Sequence, residues 1–237
     1  MSVIWHDLEC GAYAEDLPVW RELAARCGDP VLEVGAGTGR VTIDLARIGH
    51  AVTALDLDRE LLRELAQRAR GLDVTTVVAD ARSFDLGRRF ALCIVPMQTI
   101  QLLGGIEGRT SFLRCARAHL LDGGLLAVAI ADQLDLFEVT LGGPSPLPDV
   151  CEIDGIVYSS LPTAVRADGE RFVLERERQI VSASGQLSAE SDRIHLDRLD
   201  GDQLEREAAT VGLSRSGRTQ IAATEEHVGT EVVMLGA

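Results

Sequence analysis

The sequence predicts an α/β fold: a mostly parallel sheet with helices on both faces, carrying an antiparallel β insertion. Three observations predict it. Short apolar runs alternate with helical patterns from Asp16 to Ala131. A glycine-rich turn joins the first of these runs to a helix. Beyond Gly142 the pattern becomes alternating runs broken by Asp154-Gly155, Asp168-Gly169 and Ser184-Gly185, the turn chemistry of hairpins.

Each element has a local reason. Asp16-Leu17-Pro18 opens a helix, with Asp16 as its cap and Pro18 in its first turn, and Gly28 stops it. Val31–Val34 is a short strand running into Gly35-Ala36-Gly37-Thr38-Gly39, and a helix follows from about Arg40 to Ile48 with Val41, Leu45 and Ile48 at helical spacing. Ala51–Leu55 is the next strand, and Asp58 caps a helix carrying Leu61, Leu62 and Leu65 that ends at Gly71. Val74–Val78 and Ala91–Val95 are further strands. A helix through Phe112, Cys115 and Leu120 follows them, and Asp122-Gly123-Gly124 turns into the apolar strand Leu125–Ala131. A last helix, Gln203 to Val211, is stopped by Gly212 and leads to two strands around Arg218–Ala223 and Val228–Leu235. The expected organisation is a lid and helix over 1–29, a ligand-binding core over 30–141, the meander over 142–199, and a closing helix and strand pair over 200–237.

Composition narrows the function. In 237 residues, 23 basic and 37 acidic side chains give a net charge of −14, which repels a phosphate backbone and argues against a nucleic-acid partner. Every basic residue is arginine. Without lysine there is no lysine Schiff base and no P-loop. Five cysteines, none in a Cys-x-x-Cys pair, give neither a disulfide framework nor a metal site. The first residues lack the order of a signal peptide and no apolar run is long enough for a bilayer, so the expected setting is cytoplasmic, with no membrane partner.

The chemistry lies in Glu33-Val34-Gly35-Ala36-Gly37-Thr38-Gly39. Glycines let the backbone take positive φ and approach a ligand closely, with helix N–H groups facing it. The spacing is Gly-x-Gly-x-Gly, not the Gly-x-Gly-x-x-Gly of dinucleotide sites. Asp56 ends the second strand, where a carboxylate can accept both hydroxyls of a ribose, and Asp80 ends the third.

Taken in order, Glu33-x-Gly35-x-Gly37-x-Gly39, Asp56, Asp80-Ala81 and Leu121-Asp122-Gly123-Gly124 resemble the motifs of class I S-adenosylmethionine-dependent methyltransferases. The resemblance covers about residues 30–131 and the closing helix and strand pair, and implies a Rossmann-like, seven-stranded sheet. It implies further that Gly35, Ala36, Gly37 and Gly39 cradle the methionine part of S-adenosylmethionine, with Glu33 steadying the turn. Asp56 would hold the ribose, Leu57 would lie against the adenine, Asp80 would accept from its amino group, and the Ala81 N–H would meet a ring nitrogen. Pro96, Met97 and Gln98, after the fourth strand, would flank the sulfonium and the incoming nucleophile, Gln98 on the acceptor's side. The Asp/Asn-Pro-Pro-Tyr run of adenine and glutamine methylation is absent there, which points to a small-molecule acceptor methylated on N or O.

The remaining candidates have two readings each. Tyr13, in the lid, can reach the cofactor carboxylate or simply pack. A hydroxyl acceptor calls for a general base, for which His6 in the lid and His195 in the meander are placed best; His195 otherwise lies on a solvated strand face. His50 and His119 read as helix C-terminal residues at the opposite edge, and His227 lies in the last turn. Arg176 and Arg178 share a strand face and either grip an anionic substrate or pair with carboxylates across the meander or a homodimer contact. Two other functions use the same pocket: aminopropyl-type transfer, for which Pro96-Met97-Gln98-Thr99 supplies no acidic residues, and cofactor binding without turnover.

Overall fold

Two sheets form, each from the kind of strand its sequence pattern dictates. The computed structural model describes residues 2–140, 142–143, 145–224 and 227–237. Its elements, in order, are α1 (Ser2–Cys10), α2 (Leu17–Cys27), β1 (Val31–Val34), α3 (Arg40–Arg47), β2 (Val52–Asp56), α4 (Arg59–Arg68), β3 (Val74–Val78), β4 (Phe90–Val95), a 3-10 turn (Thr99–Leu102), α5 (Gly105–Ala118), β5 (Leu120–Ile130), β6 (Phe137–Glu138), β7 (Asp149–Ile153), β8 (Ile156–Asp168), β9 (Arg171–Val181), β10 (Leu187–Asp197), α6 (Gly201–Ala209), β11 (Ser214–Ile221) and β12 (Thr230–Gly236). They fall into two compact units: Tyr13–Asp132 with Leu199–Ala237, and Val3–Ala12 with Gln133–Arg198. The first 29 residues are thus divided, α1 with the smaller unit and α2 with the larger.

The larger unit is a seven-stranded sheet in the order β11-β12-β5-β4-β1-β2-β3. β12 runs antiparallel to β5 and to β11, and the other pairs are parallel. Strand order reverses beside β1, so the turn after β1 opens at the crevice where open α/β sheets bind ligands. Period-two alternation serves both faces. Leu32, Val34, Val128 and Ile130 pack with Phe112 and Leu113 of α5 and Leu204 of α6; Val31, Leu92, Ile94 and Ala127 pack with Trp20 and Leu23 of α2 and Leu45 of α3. Between α5 and α6 the Arg109 guanidinium donates to both oxygens of Glu207, at 2.8 and 2.6 Å, in a fully buried pair.

The Asp58 cap is present as its sequence position predicts, its carboxylate accepting from the Glu60 and Leu61 N–H groups. Asp16 behaves otherwise. It precedes α2 without capping it: its carboxylate accepts from the Trp20 indole at 2.8 Å and from Arg40 at 2.5 and 2.8 Å. A charge-assisted, bidentate partner outcompetes two backbone N–H groups. The glycines before Leu125 also differ from expectation, since Leu121 to Gly124 form a bulge inside β5. Phe90 pairs with Leu120 and Leu92 with Leu125, and Gly123 supplies the positive φ of 77°.

The smaller unit is an antiparallel sheet, β10-β9-β8-β6, with β7 on β8. Asp154 and Gly155 both have positive φ, 52° and 75°, as the tightest hairpin turn requires. α1 stands on this sheet through Trp5, edge-on to Tyr158 at 5.7 Å, and through Glu9. The Glu9 carboxylate, 5% exposed, accepts from Arg178 at 2.8 Å on each oxygen and from the Ser160 hydroxyl at 2.8 Å, with Arg176 at 2.9 Å. Burial would raise this carboxyl; the Arg178 and Arg176 guanidiniums and the Ser160 hydroxyl outweigh burial and hold it below its ordinary value.

Candidate functional site

At the carboxyl ends of β1 to β4 the larger unit gathers most of the residues singled out by sequence. The glycine turn takes positive φ at Gly35 (77°), Gly37 (54°) and Gly39 (97°). A side chain on Gly35 would strike Thr99 at 2.5 Å, and one on Gly39 would strike Leu65 at 2.1 Å. The turn is tied to β2 at several points. The Gly35 and Ala36 N–H groups donate to Leu55 O at 2.9 and 3.1 Å, and the Gly37 N–H donates to the Asp56 carboxylate at 2.8 Å. The other Asp56 oxygen accepts from the Asp58 N–H, also at 2.8 Å. Each oxygen keeps a second lone pair, so Asp56 holds the turn and retains acceptor capacity for a ligand. Next to it Leu57 is 69% exposed, an apolar side chain with nothing on it.

Glu33, the third residue of strand β1, is 2% exposed and accepts from the Thr42 hydroxyl of α3. Burial pushes its carboxyl up to about 8, against the opposing pull of Thr42 and Arg40, so near neutrality it is an uncharged acid under the glycine turn. Arg40 is the first residue of α3, where the helix dipole disfavours a cation; Asp16 neutralises it, and it also donates to Tyr13 O at 2.8 Å. Its guanidinium lies over the Tyr13 ring at 5.1 Å, and the His227 ring lies against the same tyrosine at 4.7 Å. Tyr13 is 6% exposed, and its hydroxyl sits beside Thr230 without a hydrogen bond of normal geometry. Burial and the Asp16 carboxylate push this phenol up, so it stays a donor.

Asp80 is engaged locally. It accepts from the Arg82 N–H at 2.8 Å and from the Arg82 guanidinium at 2.9 and 2.6 Å, which holds its carboxyl below the usual range. After β4, Met97 adopts a left-handed conformation with φ 54°, a strained state for a residue with a side chain. The segment is braced on both sides: the Thr99 hydroxyl donates to Pro96 O at 3.0 Å, and the buried Gln101 amide clasps the Ala131 backbone, donating to O at 3.0 Å and accepting from N–H at 2.9 Å. Gln98 is half-buried beside Met97.

Four expected residues belong instead to the smaller unit. Of the two readings given for Arg176 and Arg178, pairing with carboxylates is the arrangement present: both are bound to Glu9, and Arg178 lies 3.0 Å from Asp192 as well. Their carboxylate comes from α1, not from a neighbouring strand alone. His195 is exposed on the edge strand β10, and His6 is on α1 with Asp7 at 4.0 Å.

Sequence reasoning missed Arg40, Thr42, Thr99 and Gln101. Arg40 carried a usable signal, since a cation opening a helix needs a carboxylate from elsewhere. The other three carry none, because their partners are set by tertiary packing.

With this geometry in hand, comparison with known proteins is decisive on one point: residues 31–124 match the family described as methyltransferase domain. The match begins at β1 and ends in the β5 bulge, so it takes in the glycine turn, Asp56, Asp80 and Met97. The chain is 45% identical over 58 residues to a ribosomal RNA small subunit methyltransferase A of Deinococcus radiodurans, covering 24% of this chain and 20% of that protein. It spans between a fifth and under a half of the curated relatives it matches. Among solved structures, the sugar N-methyltransferase KedS8 from Streptoalloteichus superposes with TM-score 0.76 at 18% identity, covering 98% of this chain and 90% of the other. CalS10, an S-adenosylmethionine-bound amino pentose methyltransferase from Micromonospora echinaspora, gives 0.72 at 19% identity, covering 99% and 97%. At these identities the likeness is one of fold, and the fold is the Rossmann-like one of class I methyltransferases.

The site's own atoms fit an adenosyl cofactor. The turn leaves no room for a side chain at Gly35 or Gly39, the Tyr13 hydroxyl is an orphaned buried donor, Asp56 has acceptor capacity left, and Leu57 offers a bare apolar surface.

Proposed function

We propose that the chain is an S-adenosylmethionine-dependent methyltransferase acting on a nitrogen atom of a small-molecule acceptor. The observation that carries this is the tie between the glycine turn and Asp56, which builds a close-approach backbone and a strand-end carboxylate into one rigid unit. Gly35, Ala36, Gly37 and Gly39 would admit the methionine portion, with Glu33 steadying the turn from beneath and Tyr13 offering its hydroxyl. Asp56 would accept from the ribose hydroxyls. Leu57 would pack on the adenine, Asp80 would take its amino group and the Ala81 N–H a ring nitrogen. Pro96 and Met97 would border the reacting centre, and Gln98 would face the acceptor.

When bound, the cofactor supplies an electrophilic methyl group and its own leaving group. The protein therefore has to align, exclude water and admit an uncharged nucleophile. The braced loop at Met97 fits alignment, because Thr99 and Gln101 fix its backbone. A neutral amine needs no base, and two of the solved neighbours are described as an amino pentose methyltransferase and a sugar N-methyltransferase. A hydroxyl acceptor would call on His6 or His195.

Calorimetric titration with S-adenosylmethionine, S-adenosylhomocysteine and NAD tests the reading. Both adenosyl ligands should bind at about micromolar Kd and NAD should not. Asp56→Ala should weaken S-adenosylhomocysteine by about a hundredfold, and Gly37→Val should abolish binding. NAD binding, or an unchanged affinity in Asp56→Ala, would overturn it. An acceptor screen should then begin with amino sugars.

A further inference from the structure

The amino-terminal edge of the seven-stranded sheet, opposite the glycine turn, holds a hollow of about 510 Å³. The segment 84–90 leads into β4 and His119 leads into β5, which places the hollow at the starts of these strands. Three guanidiniums, Arg88, Arg89 and Arg114, line it. Several arginines of the larger unit are held by carboxylates: Arg21 by Asp44, Arg40 by Asp16, Arg82 by Asp80, Arg109 by Glu207, Arg218 by Asp202 and Glu205. Those of the hollow are held loosely or not at all. Among the described residues Arg88 and Arg114 hydrogen-bond to no carboxylate, and the nearest to Arg89 is the almost fully exposed Asp122 at 3.8 Å. A chain with a net charge of −14 has carboxylates in excess, so three guanidiniums around one concavity, two of them with no carboxylate and the third with only an exposed one, make a local reversal of its field.

The floor is aromatic. Phe84 is buried, and its ring lies 4.6 Å from the His119 ring. The His119 ring is held in place, its Nδ1 2.7 Å from Cys115 O and its Nε2 3.0 Å from the Leu86 N, with the Asp85 carboxylate 3.5 Å from the same Nε2. Asp85, the one carboxylate of the lining, accepts from the Gly87 N–H at 3.0 Å within its own turn. Arg88 lies over the Phe90 ring at 5.1 Å, which limits where its guanidinium can go. A cationic rim over a flat aromatic floor, with room for a mononucleotide, suits an anion that several guanidiniums can share.

We propose that this hollow is a binding site for a phosphate ester or diphosphate carrying at least two negative charges, separate from the glycine-turn site. The test is titration of the full chain, labelled with 15N-arginine, by inorganic pyrophosphate and by uridine monophosphate at fixed ionic strength, with and without S-adenosylhomocysteine. Saturable shifts of the Arg88, Arg89 and Arg114 Nε–H resonances are expected, unchanged by S-adenosylhomocysteine. The variant Arg88→Gln/Arg89→Gln/Arg114→Gln should bind at least about tenfold more weakly. Arg114→Gln alone should lose part of that, and Arg59→Gln/Arg63→Gln on α4 should lose none. Tighter binding of the nucleotide assigns the floor to a base, and tighter binding of pyrophosphate assigns the rim to a diphosphate. Equal shifts with sulfate would mean an adventitious ion only and would overturn the proposal. So would a lowered melting temperature in the triple variant without loss of binding, which would show that the arginines serve the end of α5.

Discussion

The two units hold themselves together by different physics. In the larger, Trp20, Phe90, Phe112 and Leu32 are wholly buried between sheet and helices, and the charges packed among them come in satisfied pairs. In the smaller, the face of β8 and β9 beneath α1 carries arginines, and what keeps the helix there is one carboxylate shared by two guanidiniums and a hydroxyl. The first arrangement is non-directional and tolerates small shifts. The second depends on a handful of bonds whose geometry has to be met. A scaffold that presents a rigid ligand edge benefits from the former, and a surface sheet with few large apolar residues has to use the latter.

The comparison can be broken at several points. Trp20→Ala should cost about 3–5 kcal/mol of unfolding free energy, lost from the larger unit and visible in denaturant unfolding. Its hydrogen-exchange counterpart in β8 to β10 should stay unchanged. Glu9→Ala should cost about 3 kcal/mol, confined to the smaller unit, because it leaves Arg176 without a carboxylate and Arg178 with Asp192 alone. Exchange protection across α1, β8 and β9 reads this out; a loss no larger than that of an ordinary surface substitution would show that Trp5 alone holds the helix.

Glu33 gives the larger unit a pH signature. Its carboxyl rises from 4.5 to about 8 on folding, so between those values the folded chain holds a proton that the open chain has released. Stability should therefore fall as pH rises from about 4.5 to about 8 and level off beyond, by an amount on the order of a few kcal/mol. Glu33→Gln, which copies the neutral acid, should remove that slope, and melting temperatures of both proteins across the window decide it. The smallest effect is expected from Arg166→Gln: Arg166 joins Glu138 and Glu175 on a solvated part of the smaller sheet, and salt should erase what difference there is.

Legibility in the sequence follows the same divide. The glycine turn, Asp56 and the Asp58 cap are each decided within a few residues, and the structure has them where the pattern places them. The hairpins of the smaller unit were legible too, since Asp154-Gly155 and its equivalents state their own geometry. Asp16 looked like a cap because capping is a local habit, but Arg40, 24 residues on, claims its carboxylate. Arg176 and Arg178 were ambiguous for the same reason: their partner Glu9 lies 169 residues from Arg178 in the chain, and no spacing rule reaches that far. Met97 carries no glycine to announce its positive φ.

The smaller unit is written in two separate stretches of the chain, Val3–Ala12 and Gln133–Arg198. It therefore cannot be excised or grafted as one contiguous piece of coding sequence. A fragment beginning at Gln133 would lack Glu9, leaving Arg176 without its carboxylate and Arg178 with Asp192 alone. Replacing α1 would do the same to the full chain, so a defect read from such a variant belongs to the smaller unit and says nothing against the glycine-turn site.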